Sequence, residues 1–197
     1  MPRLPSWTIR TATALAALLL AGTASAEGEH SYFGFKLGDT TFSSAKQKLG
    51  QANAAFNPDL AYKGYGDLPV IKVTSHGRFG KYGNLNAALL RFTPDDKLYK
   101  LSIEWGDSGE TYKTLQDALE RKYGSGEGGG RGFSSSHTYR DGPVKVTLKR
   151  NSFGFGDDQE TTLVYYYTPA KEAVADMKQR IEEAIERKNA QKAAGDL

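Results

Sequence analysis

The chain has 197 residues, no cysteine, 11 Tyr and 9 Phe, and 26 Lys and Arg against 23 Asp and Glu. The missing cysteine excludes disulfides, thiolate metal sites, thiol catalysis and a lipid carried on an N-terminal cysteine, so packing alone must hold the fold. The near balance of charge gives no electrostatic case for nucleic acid or an anionic membrane surface, both of which need clustered positive charge.

Residues 1–26 predict a secretory signal peptide. MPRLPSWTIR carries Arg3 and Arg10 and no acid, TATALAALLLAGTA is apolar, and Ala24-Ser25-Ala26 supplies small residues at a cut before Glu27. The apolar core falls short of the ~20 residues of a bilayer span. Its bacterial character predicts a periplasmic or secreted product. Residues 27–197 then form a single domain with 24 Lys and Arg against 23 Asp and Glu, a net charge of +1. His30 falls in a segment expected to be disordered.

The first element is a helix in TFSSAKQKLG, with Phe42, Ala45 and Leu49 on one face, Asp39 or Thr40 as N-cap and Gly50 as stop. A strand follows at 69–74, and two more at 85–93 and 98–105 are joined by the turn residues Pro94-Asp95-Asp96-Lys97. Tyr99, Leu101, Ile103 and Trp105 alternate with polar residues, the period of a half-buried strand. ETYKTLQDALERKYG predicts a second helix, with Tyr112, Leu115, Leu119 and Tyr123 on one face, Ser108 as cap and Gly124 as stop. GSGEGGGRG at 124–132 reads as a flexible spacer; it lacks the Lys-Ser/Thr of a phosphate-binding loop. Asp141-Gly142 predicts a hairpin between 133–140 and 143–150. Residues 163–167 are a further strand. From Pro169 to about residue 192 a helix carries Val174, Met177, Ile181, Ala184 and Ile185 in one stripe, with Asp176/Arg180, Lys178/Glu182 and Glu183/Arg187 as exposed pairs.

Four short matches suggest an internal repeat. PVIKVT at 69–74 returns as PVKVT at 143–147, FGKYGN at 79–84 as FGFGDD at 153–158, FTP at 92–94 as YTP at 167–169, and LG at 49–50 as YG at 123–124. The offsets are 74 or 75 residues, giving units of about 32–105 and 108–168. The expected fold is α+β: a tandem repeat of helix plus antiparallel strands forming one sheet, with the helices on one face and the other face free.

No constellation of residues points to catalysis. His30, His76 and His137 lack metal-ligand spacing, no G-x-S-x-G elbow occurs, and Asp95/Asp96 and Asp157/Asp158 suit turns. No metal or other cofactor is expected. The aromatic residues stand out instead. Alternation sends Tyr165 and Tyr167 towards the helices and Tyr166 to the free face beside Lys145 and Lys149. Phe79, Tyr82, Phe153 and Phe155 sit in glycine-flanked loops, either as contact residues for a partner or folded back as a plug over the sheet end.

The pattern of amphipathic helix, LG at 49–50, its echo YG at 123–124 and the strands after each resembles the architecture of the β-lactamase inhibitory protein. A single unit is similar to the small lipoprotein of the outer-membrane β-barrel assembly machine. The resemblance implies binding of other proteins through a sheet face and loops, and it carries over no residue by position. The expected function is a non-enzymatic, exported interaction module with a protein partner in the cell envelope, an inhibitor or an assembly factor. The alternatives are a small-ligand carrier using the aromatic sheet face and an enzyme with a fold-assembled site near His76 or His137.

Overall fold

Strand alternation and two amphipathic helices generate the architecture seen in the computed structural model, which describes residues 30–106, 109–131, 134–151 and 159–195. The expected signal segment, Ser108, Phe153 and Phe155 lie outside these residues. The elements in order are β1 (Ser31–Tyr32), β2 (Phe35–Lys36), α1 (Phe42–Gln51), β3 (Ala55–Tyr62), β4 (Tyr65–Ser75), β5 (Asn84–Phe92), β6 (Leu98–Gly106), α2 (Glu110–Tyr123), β7 (Glu127–Arg131), β8 (Ser134–Asp141), β9 (Val144–Asn151), β10 (Glu160–Tyr167) and α3 (Lys171–Gly195). The fold is α+β. β1 and β2 form a small hairpin, and the other eight strands form one antiparallel sheet in the order β3-β4-β5-β6-β10-β9-β8-β7. Each helix of the pair α1 and α2 is followed by four strands, and the fourth strands, β6 and β10, meet at the centre.

The 74-residue correspondence does not superpose on this order. Pro69 lies within β4, the second strand after α1, whereas Pro143 lies in the turn before β9, the third strand after α2. Pro94 follows a third strand and Pro169 a fourth. Gly50 and Gly124 do fall at the ends of corresponding helices and Phe153 lies outside the described residues, so the two proline matches alone stand at non-equivalent places, where a proline before alternating β-branched residues suits many strand starts.

One face of the sheet carries Ile71, Leu90, Leu101, Ile103, Trp105 and Leu148, all fully buried. Ala45 and Leu49 of α1 and Tyr112, Leu115 and Leu119 of α2 pack on it. α1 is capped by Thr41 rather than by the expected Asp39 or Thr40. The Thr41 hydroxyl accepts from the Ser44 amide, the Ser44 hydroxyl accepts from the Thr41 amide, and the Asp96 carboxylate accepts the Phe42 amide at 2.8 Å. Thr40 is occupied elsewhere, accepting from the Lys36 amide. Gly50 lies inside the last turn of α1, while Gly124, at φ +80°, ends α2 as expected.

Three expectations need correction. The segment around His30 is not a loose tail: the β1–β2 hairpin buries Tyr32 and Phe35 in the core, and the Tyr32 ring stacks on Tyr165 at 4.1 Å. The glycine-rich stretch contains the edge strand β7, paired with β8. A side chain at Gly130 would drive its Cβ into the Ser134 carbonyl oxygen, so glycine here permits close backbone approach rather than slack. The face expected to be free is partly covered. α3 lies against it, with Val174 and Ala170 packed on Tyr99 and Tyr166 in a second, smaller apolar cluster.

Among the described residues no helix is long and apolar enough to cross a membrane. In α3, Val174 and Ile181 are buried and Met177 and Ile185 half-buried. Glu182 does not pair with Lys178; its carboxylate accepts from the Tyr62 hydroxyl at 2.8 Å and binds the Lys63 ammonium, tying the helix to the β3–β4 hairpin. Full burial of an isoleucine contributes about 1.5–3 kcal/mol, so Ile181→Asp is expected to lower the melting temperature by about 5 °C or more, measured by circular dichroism.

Candidate functional site

A cleft of about 440 Å³ opens on the helix side of the sheet. Leu163 and Tyr165 of β10 form its floor. Leu115, Ala118, Leu119, Lys122 and Tyr123 of α2 make one wall and Ser31, Tyr32 and Phe33 the other, with Arg78, Lys81 and Tyr82 closing one end. Among the described residues no carboxylate lines it.

Local chemistry builds each wall. The β1–β2 hairpin turns through Phe33 at φ +53° and Gly34 at φ +88°, the signs of a two-residue I′ loop. A phenylalanine rarely adopts this conformation. Here its ring is held among Phe79, Tyr82 and Tyr165 at centroid distances of 5.4, 6.2 and 6.2 Å. Lys48 of α1 donates to the Gly34 carbonyl at 2.9 Å and steadies the same turn. Asp141, at the end of β8, couples the two walls: one carboxylate oxygen accepts from the Tyr32 hydroxyl at 2.7 Å and the Tyr123 hydroxyl at 3.1 Å. Burial, reinforced by Asp141, pushes both phenols well above their ordinary range, so they remain donors. The Lys122 ammonium stands 4.8 Å from the Tyr123 ring centre and 5.6 Å from that of Tyr32, and the Lys81 ammonium 5.6 Å from that of Tyr82.

The residues expected to contact a partner separate in space. Tyr82 is half-buried and lines the cleft; its carbonyl accepts from the Thr111 hydroxyl at 2.8 Å, which fixes the loop to α2. Phe79 is fully buried among Phe33, Phe35 and His76, and its carbonyl accepts from the Trp105 indole at 2.7 Å. It is the plug, because its ring fills the sheet end that the loop folds over. Lys145, Lys149 and Tyr166 project from the opposite face, where Tyr166 lies directly across from Lys145 in the β9–β10 ladder. The sequence reading misses Tyr32, Phe33, Lys122 and Tyr123. The signal for the first two is present in Tyr32-Phe33-Gly34-Phe35, a two-residue turn between aromatic residues.

His76 and His137 sit far apart. His76 follows β4 and His137 lies in β8, five strand steps or roughly 24 Å away at about 4.8 Å per strand. His76 is buried against Phe79, and burial followed by the charge of Arg78 lowers its pKa. The His137 ring nitrogen Nδ1 is 2.8 Å from the Tyr112 hydroxyl. Among the described residues no three His, Asp or Glu side chains converge as a metal site would require.

Two outcomes are expected from this arrangement. Asp141→Ala leaves two phenols of the cleft walls without their acceptor, each costing about 1–3 kcal/mol. Its chemical-denaturation midpoint should therefore fall clearly, and Tyr32→Phe in that background should recover part of the loss. His76 resists protonation in the folded chain, while in the unfolded chain it titrates near 6.5. Its contribution is complete above that value and is lost as pH falls below it. Urea midpoints at pH 7.5 and 5.0 should diverge less in His76→Gln than in the wild type.

No family model matches the chain, and no curated protein or solved structure was found to match it.

Proposed function

We propose that the protein is a non-catalytic interaction module exported to the cell envelope, and that it holds a protein partner in the cleft between α2 and the β1–β2 hairpin. The observation that carries this reading is the lining. Five aromatic rings, from Tyr32, Phe33, Tyr82, Tyr123 and Tyr165, share the cleft with the cations of Arg78, Lys81 and Lys122, and no acid is among them. Tyr and Arg are the side chains that most often concentrate binding energy at interfaces. Rings in rigid walls lose little entropy on contact, and cations at the rim favour an acidic partner. The matching segment is a loop that inserts an aromatic or aliphatic side chain flanked by Asp or Glu. The resemblance to the β-lactamase inhibitory protein points to the same class of function, although the surface proposed here is the helix-side cleft rather than the sheet face. The cleft volume also suits a small aromatic anion, the carrier alternative.

Selection of displayed peptides on the chain from Glu27 to Leu197 tests the reading. Enriched peptides should combine an aromatic or leucine with acidic neighbours. A folded Lys81→Glu/Lys122→Glu variant should bind them at least tenfold more weakly. Peptides bound equally by that variant would place the interface elsewhere. Enrichment of none, together with saturable binding of indole-3-acetate as a probe, would favour the carrier.

A further inference from the structure

The second face of the sheet holds a different site. Ladder registers place Arg140 opposite Lys145, Lys145 opposite Tyr166, Tyr166 opposite Lys100, and Lys100 opposite Arg91. One transverse row across five strands thus carries four cations and a tyrosine, with no acid between them. α3 crosses one end of this row and roofs a cavity of about 270 Å³, into which Arg91 and Lys100 come from the sheet and Lys178 from the helix.

Among the described residues no acid pairs with Arg91, Lys100 or Lys178. Among the described residues no carboxylate lines the cavity. Glu182, one turn further along α3, is engaged by Tyr62 and Lys63. Arg91 donates to the Ser102 hydroxyl at 3.3 Å, and Lys100 has no ion pair among the described residues. Burial, then the charges of Arg91, Lys178 and Lys149, pushes the Lys100 ammonium below its usual range. The Tyr99 and Tyr166 rings meet edge to face at 5.9 Å on the cavity wall. Burial raises both phenols, which keeps their hydroxyls as donors. Like charges gathered in a half-buried space repel, and a bound anion would reverse the sign of that interaction.

We propose that this cavity binds a phosphate group, with Arg91 and Lys100 on the sheet and Lys178 on α3 supplying the charge and the Tyr99 and Tyr166 hydroxyls supplying further donors. A tetrahedral oxyanion fits because the donors come from floor and roof together, whereas a planar carboxylate would be satisfied by the flat guanidinium fork alone. Binding would bridge α3 to the sheet. The site lies on the face opposite the aromatic cleft and does not depend on the function assigned to that cleft.

The test is thermal unfolding of the chain from Glu27 to Leu197 against increasing sodium phosphate, with sodium chloride at matched ionic strength as control, and flotation with phosphatidylglycerol vesicles alongside. A saturable rise in melting temperature with phosphate, absent in chloride, is expected. Lys178→Gln and Lys100→Met should each shift the phosphate half-saturation at least tenfold. Each should be no less stable than the wild type without phosphate, because mutual repulsion is relieved. Vesicle capture that Lys178→Gln abolishes would assign the phosphate to a lipid headgroup; stabilisation by inorganic phosphate without capture would assign it to a soluble ligand. The proposal is overturned if neither phosphate nor vesicles bind, or if both variants respond as the wild type does. If Lys100→Met does not fold, Lys178→Gln alone decides.

Discussion

The pairing of β6 with β10 is the constraint on which the rest of the molecule depends. It is the single seam between the two four-stranded halves, and it sets Leu163 opposite Ile103 and Tyr165 opposite Leu101. Because side chains alternate along a strand, this register sends Thr161, Leu163 and Tyr165 to the helix side and Val164 and Tyr166 to the other. The floor of the aromatic cleft and the wall of the cationic cavity are therefore two sides of one strand. A slip of one residue would exchange them and carry polar side chains into the core.

An irregularity beside the seam gives α3 its seat. In the β5–β6 ladder Leu98 opposes Phe92 but Lys100 opposes Arg91, so β6 holds one residue more than its partner at Tyr99. Bulges of this kind re-aim side chains. The Tyr99 ring leaves the main core and joins Tyr166, Ala170 and Val174 beneath the helix. The same local shift leaves Lys100 beside Arg91 under the roof of α3, where solvent reaches it only partly.

The two recesses use aromatic rings and cations in different proportions. In the cleft, lysines rest near ring faces and the Tyr32 and Tyr123 hydroxyls are committed to Asp141. In the cavity, the cations face one another. Near-neutral composition conceals this, since a net charge of +3 over the chain counts charges without placing them. Glu182 shows the point: helical spacing sets it one turn from Lys178, yet Tyr62 and Lys63 on the β3–β4 hairpin capture it, and Lys178 is left over the Tyr62 ring at 5.1 Å.

The sequence alone determined what depends on neighbours along the chain. Period marked α1, α2, α3 and six of the eight sheet strands, Gly124 marked the end of α2, turn chemistry marked Asp141-Gly142, and alternation sent Tyr166 away from Tyr165, whereas the cap of α1 fell at Thr41 rather than at Asp39 or Thr40. Two strands escaped because their stabilising partners are remote. β7 is mostly glycine and exists through its ladder with β8, and β3 is an edge strand whose Asn57-Pro58-Asp59 reads as a turn. The site was legible only at Tyr82. Its other sides come from segments far apart in the chain, such as Tyr32 and Tyr165, and Phe79 could be read as plug or contact until its burial was known. Tertiary structure alone decided which strands met at the seam, which face α3 covered and which charges were left unpaired, because each follows from contacts between residues that no local pattern brings together.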